Sequence, residues 1–526
     1  MSSYGADMLG ITDETFQMVK AATSGIDTAT AIAGIDFIHD LMSWVPVDTP
    51  FFNSVPRGAG AGAVSVFWET LQNINALQQW TGIGRDFAAN LAKKQNQYSF
   101  SPYAVVGQGS TVTWDAIAQA EGYADALAVD TVQTINQQLI ALEVNQLNSA
   151  NFALPAVGTV SLVPSTSGGT IPTTTAVYVK CAARSGMNWY AGGSGVASAE
   201  ATTTTTAAGS SVTASVPPVK SAAGYDWYVG SASGAELYYT TTPVNTVVIT
   251  SIPTVAANVP TAYAGLAGSY GPGSPIQGPT TVPTTDSSYG LGAGAVNQFG
   301  AASAGIWQNG LIASILGDWP SSPDGPVPGS EGAAGFVTPG TGTTQGAYWK
   351  SLNGGQLTVE GAAFAEIDAL LVSLYNTYQI TPSRLLMPSD VMLSFNNAFL
   401  NNPQAVTWLS PDASNGKLEG VMGGHVANYV NKVVNGEKIP LWLMPYLPPG
   451  RIVAVIDSLP FPGANVTSAL QVRTLYDFFR FDYGANRTAG STSGGPRYDY
   501  EIRSEQAFIN KASAICGVLQ DISPTT

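Results

Sequence analysis

The chain has 526 residues, a formal net charge of −15, and charged side chains at only 10% of positions. That length exceeds a single hydrophobic core and predicts two or three domains. Ordinary soluble domains carry about 25% charge, so either Ser, Thr, Asn, Gln and Gly cover most of this surface or much of it is buried between copies. The acidic excess disfavours nonspecific binding to nucleic acid.

Cys181 and Cys516 lie far apart in strand-like runs, without metal or redox spacing, and are expected to be buried thiols. Residues 1–15 include Asp7, Asp13 and Glu14 and lack the basic start and apolar run of a signal peptide. No run of about 18 apolar residues offers a membrane span. The expectation is a chain made and kept in a cytoplasm, away from membranes.

Residues 1–56 read as an N-terminal arm. Thr12 is placed to cap a short helix ending at Lys20, and a second helix is expected over 29–44. Pro46, Pro50 and Pro56 then hold the chain extended. Phe51 and Phe52 in that segment need an apolar partner elsewhere.

Residues 57–107 read as an extended hairpin loop. Val64, Val66 and Trp68 alternate with Ala63, Ser65 and Phe67 at a period of two. A long polar tip carries Arg85, Lys93 and Lys94, and the return strand near 97–106 brings Tyr98 and Phe100 to one face. Pro102 marks an edge strand or a bulge. A two-stranded ribbon is marginal in water by itself, so this one predicts a supporting surface on the same chain or on another copy.

Thr113 is placed to cap a helix with Asp115 in its first turn. Ala128, Val132, Ile135, Leu139 and Leu142 recur at helical spacing. One helix of about 50 Å is therefore expected over 114–148, with Gly122 as its weak point. Residues 108–155 form the unit built on it.

Residues 156–262 change character, with short alternating runs at 176–183, 194–202, 211–216, 224–230, 235–241 and 244–250. Separated by Gly, Pro and Ser, these predict an all-β sandwich. Tyr225, Trp227 and Val229 share a face in a run similar to the central strand of fibronectin type III or immunoglobulin-like modules. Its Pro/Gly-rich borders predict an insertion crossed by few contacts, separately folding and dispensable.

Residues 263–350 are a Gly/Pro-rich connecting region anchored by Phe299, Trp307, Leu311, Ile315, Trp319 and Trp349. Residues 351–468 read as an α/β unit. Thr358 is expected to cap a helix burying Ala363, Ile367, Leu370, Leu371, Leu374 and Tyr378. A strand at 384–387 and a helix from Ser389 to about residue 401 follow, then strands near 423–434, 439–444 and 451–456. Residues 469–526 supply closing strands.

Little here is chemically reactive. The two histidines, His39 and His425, have no partner at metal-ligand spacing. No nucleophile elbow, Walker sequence or zinc-protease motif occurs. Glu366 and Asp368 sit two apart on one helix, pointing to different faces, and make a poor acid/base pair. The expectation is no catalytic, cofactor-binding or metal residue, no cofactor, and no enzyme activity.

The order of elements carries a resemblance. An arm ending in Asp48-Thr49-Pro50-Phe51-Phe52-Asn53-Ser54, a Gly/Ala-rich approach to an extended hairpin, and a spine-like helix resemble tailed-bacteriophage major capsid proteins of the Hong Kong 97-type fold. Ile306-Trp307-Gln308-Asn309-Gly310-Leu311, Pro382 through Asp390, and Gly436 through Leu441 look like the axial domain of such proteins, and Tyr500 through Ile515 like their closing peripheral strands. The resemblance covers roughly residues 40–155 and 296–522, and the sandwich looks like an accessory domain on the outer surface.

The resemblance implies an α+β capsid fold and a chain that self-assembles into the hexamers and pentamers of an icosahedral virion shell in the host cytoplasm. Portal, scaffold and decoration proteins would be its partners. The shell would enclose DNA without sequence-specific binding, and an acidic wall does not adhere to what it encloses. The contacts implied between subunits are Phe51, Phe52 and Arg57 on the arm side, an aromatic face of Trp68, Tyr98 and Phe100 on the hairpin, and Arg85, Lys93 and Lys94 at its tip. Two other readings stay open: a cell-surface or appendage adhesin, suggested by the Thr-rich sandwich, and a carbohydrate-active enzyme with an accessory sandwich.

Overall fold

The computed structural model describes residues 48–62, 65–73, 95–120, 125–148, 154, 157–191, 195–254, 310–316, 335–336, 347–360, 363–400, 410–411, 418–419, 426–434, 436–459, 468–486 and 497–523. The arm helices, Gly122, the hairpin tip with Arg85, Lys93 and Lys94, the anchors Phe299, Trp307 and Trp319, and both histidines lie outside the described residues.

The elements begin with α1 (Pro50–Ser54), β1 (Arg57–Ala59), β2 (Ser65–Asn73), β3 (Gln95–Pro102), β4 (Ala104–Thr113), α2 (Trp114–Ala120) and α3 (Ala126–Asn148). Next come β5 (Ser161–Ile171), β6 (Ala176–Ser185), α4 (Gly186–Ala191), β7 (Ala201–Thr204), β8 (Ser210–Ser215), β9 (Ala222–Gly230), β10 (Leu237–Thr242) and β11 (Thr246–Ile249). After α5 (Leu311–Leu316) lie β12 (Gly335–Phe336), β13 (Tyr348–Ser351), β14 (Val359–Glu360), β15 (Ala363–Phe364), α6 (Ala365–Tyr378), β16 (Arg384–Met387) and α7 (Ser389–Leu400). The chain closes with β17 (Ser410–Pro411), β18 (Leu418–Glu419), β19 (Asn428–Asn431), β20 (Glu437–Leu443), β21 (Ile452–Val455), β22 (Leu470–Asn486), β23 (Arg497–Asn510) and β24 (Gly517–Gln520).

Among the described residues the chain forms two compact units, one of 107–136 with 480–502 and a larger one holding the rest. A mixed seven-stranded sheet, ordered β12-β13-β24-β21-β16-β20-β19, lies in the larger unit. Its strands alternate between two cores, as a pleated strand buried on both faces must. Leu385, Met387, Ile452, Ala454 and Leu519 pack with Ile367, Leu370 and Leu374 of α6 and Val391 and Phe395 of α7. Leu386, Val453, Val455 and Val518 pack on the other side with Ile140, Val144 and Leu147 of α3 and Leu311, Ile312 and Ile315 of α5. Cys516 joins this second core, and burial pushes its thiol up to about 12.

Helix α6 starts seven residues after Thr358. A short β14–β15 hairpin intervenes, and the Glu366 carboxylate accepts the Thr358 N–H at 2.9 Å. The helix ends where Gln379 turns left-handed and donates its N–H to the Tyr375 carbonyl.

The long helix also differs from the expected one. Helix α2 is described as far as Ala120, and α3 begins afresh at Ala126, where the Asp125 carboxylate accepts the N–H groups of Leu127 and Ala128 at 3.0 and 3.1 Å. At 23 residues, α3 is about 35 Å long. Ala128 and Val132 of the expected stripe are exposed, whereas every residue from 140 to 148 is buried. In the smaller unit, the Tyr500 hydroxyl donates to Asp130 at 2.6 Å and lies 3.1 Å from the Thr134 hydroxyl. The Arg480 guanidinium sits over the Tyr500 ring and donates to Thr131.

Residues 161–249 form two antiparallel sheets, β10-β9-β6-β7 and β11-β8-β5. Val177, Val179 and Cys181 of β6, Tyr225, Trp227 and Val229 of β9, Val212 and Ala214 of β8, and Ile249 of β11 share one apolar cluster. Polar ends are satisfied within it. The Tyr225 hydroxyl accepts the Val219 N–H, and the Trp227 indole donates to Thr242. Gly224 leaves room for α4, since a Cβ there would meet the Trp189 ring at 2.6 Å.

The expectation that few contacts cross the borders of this region is corrected. Arg451 donates to the Ala222 carbonyl oxygen, Gln520 to that of Val219, and Asn245 to the Asn353 side chain. Ala313 of α5 belongs to the same apolar cluster as the sandwich core.

Candidate assembly surfaces

Strands β2 and β3 pair antiparallel and, among the described residues, form a sheet of two strands. Residues directly opposed in such a ladder share a face. The register sets Phe67 against Phe100, Glu69 against Tyr98, and Trp68 against Ser99. The aromatic positions therefore divide between the two faces, which corrects the single face expected for Trp68, Tyr98 and Phe100. Phe67 is 71% exposed and Trp68 is half-buried.

The arm-side residues are satisfied inside their own chain. Phe51 is fully buried, 5.9 Å from the Phe508 ring, in the core beneath the seven-stranded sheet. Phe52 packs edge-on to Phe478 and shares a small core with Val106, Ala141 and Leu142. The Arg57 guanidinium lies 3.7 Å over the Phe52 ring and pairs with Asp477 at 2.6 Å. β1 is held parallel to β22, Arg57 opposite Val472. The expectation that Phe51 and Phe52 clasp a neighbouring copy is corrected: their apolar partners lie in the same chain.

What fixes the arm is a residue the sequence reading passed over. Glu143 of α3 is fully buried and accepts the backbone N–H of Phe51 at 3.0 Å through Oε1 and that of Phe52 at 2.5 Å through Oε2. These are free donors of the first turn of α1, and a carboxylate suits both their hydrogen-bonding need and the helix dipole. Burial pushes the Glu143 carboxyl up to about 7, against the lowering effect of its two hydrogen bonds. A signal for it was present, because Glu143 is the single charged residue between Asp130 and Lys180.

The carboxylates considered for catalysis have separate structural partners. Glu366 takes the Thr358 N–H, and Asp368 accepts the Tyr429 hydroxyl and lies 3.4 Å from Lys432. Among the described residues no three His, Cys, Asp or Glu side chains are grouped to hold a metal, and no helix is long and apolar enough to cross a membrane.

No protein-family model and no curated protein matches the sequence. Among solved structures, the chain is similar to the capsid of a native GTA particle, covering 96% of this chain and 100% of that one at 6% identity and a TM-score of 0.42. It is similar to the capsid of cyanophage A-1(L), covering 95% and 99% at 11% identity and a TM-score of 0.43. It is also similar to the capsid of Myoviridae phage XM1, covering 95% and 99% at 9% identity and a TM-score of 0.36. These neighbours are capsid proteins, and the likeness at these values is weak.

Proposed function

We propose that the chain is the major capsid protein of a tailed bacteriophage, with a Hong Kong 97-type fold and an inserted immunoglobulin-like sandwich. The observation that carries this reading is the β2–β3 ribbon. Among the described residues it pairs with no third strand, and a two-stranded ribbon is marginally stable in water until another surface covers it. A second copy of the chain is that surface in the proposed shell.

In this shell, hexamers and pentamers of the chain enclose DNA that the acidic wall does not bind, with portal, scaffold and decoration proteins as partners. Trp68, Tyr98 and Phe100 meet the neighbouring subunit from the two faces of the ribbon, and Arg85, Lys93 and Lys94 make polar contacts at its tip. No step of covalent chemistry is assigned. Electron microscopy of native preparations tests the proposal: closed shells support it, and dispersed monomers count against it.

The adhesin reading draws on the sandwich alone, and fibres in the same images would favour it. The buried contacts that tie the sandwich to the seven-stranded sheet unit argue for one integrated subunit instead.

A further inference from the structure

We propose that the joint between the sandwich and the seven-stranded sheet is a binding site for buried water, which accepts from the Arg451 guanidinium and donates to the Asp521 carboxylate. The joint forms around the turn Val219–Ala222, closed by the Ala222 N–H donating to the Val219 carbonyl oxygen, with Ser221 left-handed at a φ of 70°. Two buried side chains of the sheet unit hold this turn. Arg451 Nη2 donates to the Ala222 carbonyl oxygen at 2.6 Å, and Gln520 Nε2 to that of Val219 at 3.0 Å. Gln520 Nε2 also donates to Asp521 Oδ2 at 3.1 Å, and the Ser351 hydroxyl donates to the same oxygen.

The backbone register brings the remaining groups together. β21 and β24 pair antiparallel with Ile452 opposite Leu519, and the Ile522 N–H donates to the Gly450 carbonyl oxygen. Arg451 is thereby bracketed by Gln520 and Asp521. Its Nε and Nη1, both donors, have no hydrogen-bond partner among the described residues, and neither have Asp521 Oδ1, Gln520 Oε1 and Ser221 Oγ, all able to accept. The four side chains are buried, where polar groups are as a rule hydrogen-bonded.

Arg184 shows the alternative. Equally buried, it pairs directly with Asp226 through Nε and Nη2. Arg451 and Asp521 sense each other's charge without making such a pair. Opposite charges held apart in a polar site are the setting in which a water bridges. The guanidinium and the carboxylate balance, so the site calls for a neutral ligand that both accepts and donates. Water does both, and buried waters typically make about three hydrogen bonds to groups otherwise left unsatisfied. The sandwich is then keyed to the sheet through a hydrated contact, with Arg451, Gln520 and Asp521 fixing the water.

The test is an experimental structure of the native full chain at a resolution that shows ordered water. The expected result is an isolated density peak within hydrogen-bond distance of Arg451 Nε or Nη1 and of Asp521 Oδ1 or Gln520 Oε1. A direct Arg451–Asp521 ion pair with nothing between the groups overturns the proposal. So does a peak whose neighbours are all donors, which is an anion, and so do two separated groups with no density between them. Water-edited solid-state NMR of the sedimented native protein gives an independent reading. Arg451 Nε should receive magnetisation from water sooner than Val453 and Val518, which lie in the apolar core. Equal build-up at the three residues contradicts a water at the joint.

Discussion

The Arg451 guanidinium donates to the Ala222 carbonyl oxygen at 2.6 Å with the arginine fully buried, joining the seven-stranded sheet unit to the sandwich. Burial pulls the arginine down to about 10, and the nearby Asp521 opposes that shift. Removing the donor leaves a buried carbonyl oxygen without it, which costs about 1–3 kcal/mol. Arg451→Ala should lower subunit stability by about that amount in urea unfolding. A loss below about 1 kcal/mol would show that the junction behaves as a solvated surface contact.

The same junction changes the expectation for the sandwich as a whole. Replacing 163–258 with a Gly/Ser linker removes the acceptor for Arg451 and for Gln520 together, along with the packing around Ala313. The product is expected to be insoluble or poorly folded. Recovery of a stable, folded subunit from this deletion would establish a dispensable module.

Phe51→Ala should cost about 3–5 kcal/mol of subunit stability, because its fully buried ring would leave a cavity beside Phe508. Thermal unfolding of the isolated subunit measures this. Unchanged subunit melting with weakened assemblies would instead place the ring in a neighbour.

Phe67→Ser is expected to do the reverse. The ring is 71% exposed within one chain, so subunit melting should shift little, while assemblies should dissociate at lower denaturant. An equal loss in subunit and assembly would show that the ribbon packs within its own chain.

Much of the larger unit could be read from the sequence, and the reason is local. Arg384–Met387 and Ile452–Val455 are apolar runs of strand length, and their pleat alone assigns Leu385 and Leu386 to opposite cores. Tyr225, Trp227 and Val229 share a buried face for the same reason. What escaped depends on partners distant in sequence. The helix break rests on Asp125, a residue equally at home on a solvated helix face. Glu143 lies 91 and 92 residues from the groups it binds, so no local spacing announced the contact. Phe51 and Phe52 read as needing a partner, but nothing local distinguished one in the same chain from one in a neighbour.

Cryo-electron microscopy of the native protein, with any scaffold it needs, tests the proposed function most directly. Closed icosahedral shells with the β2–β3 ribbon seated on an adjacent subunit are the expected result. A fully folded monomer persisting at high concentration, with the ribbon packed on its own chain, would contradict it.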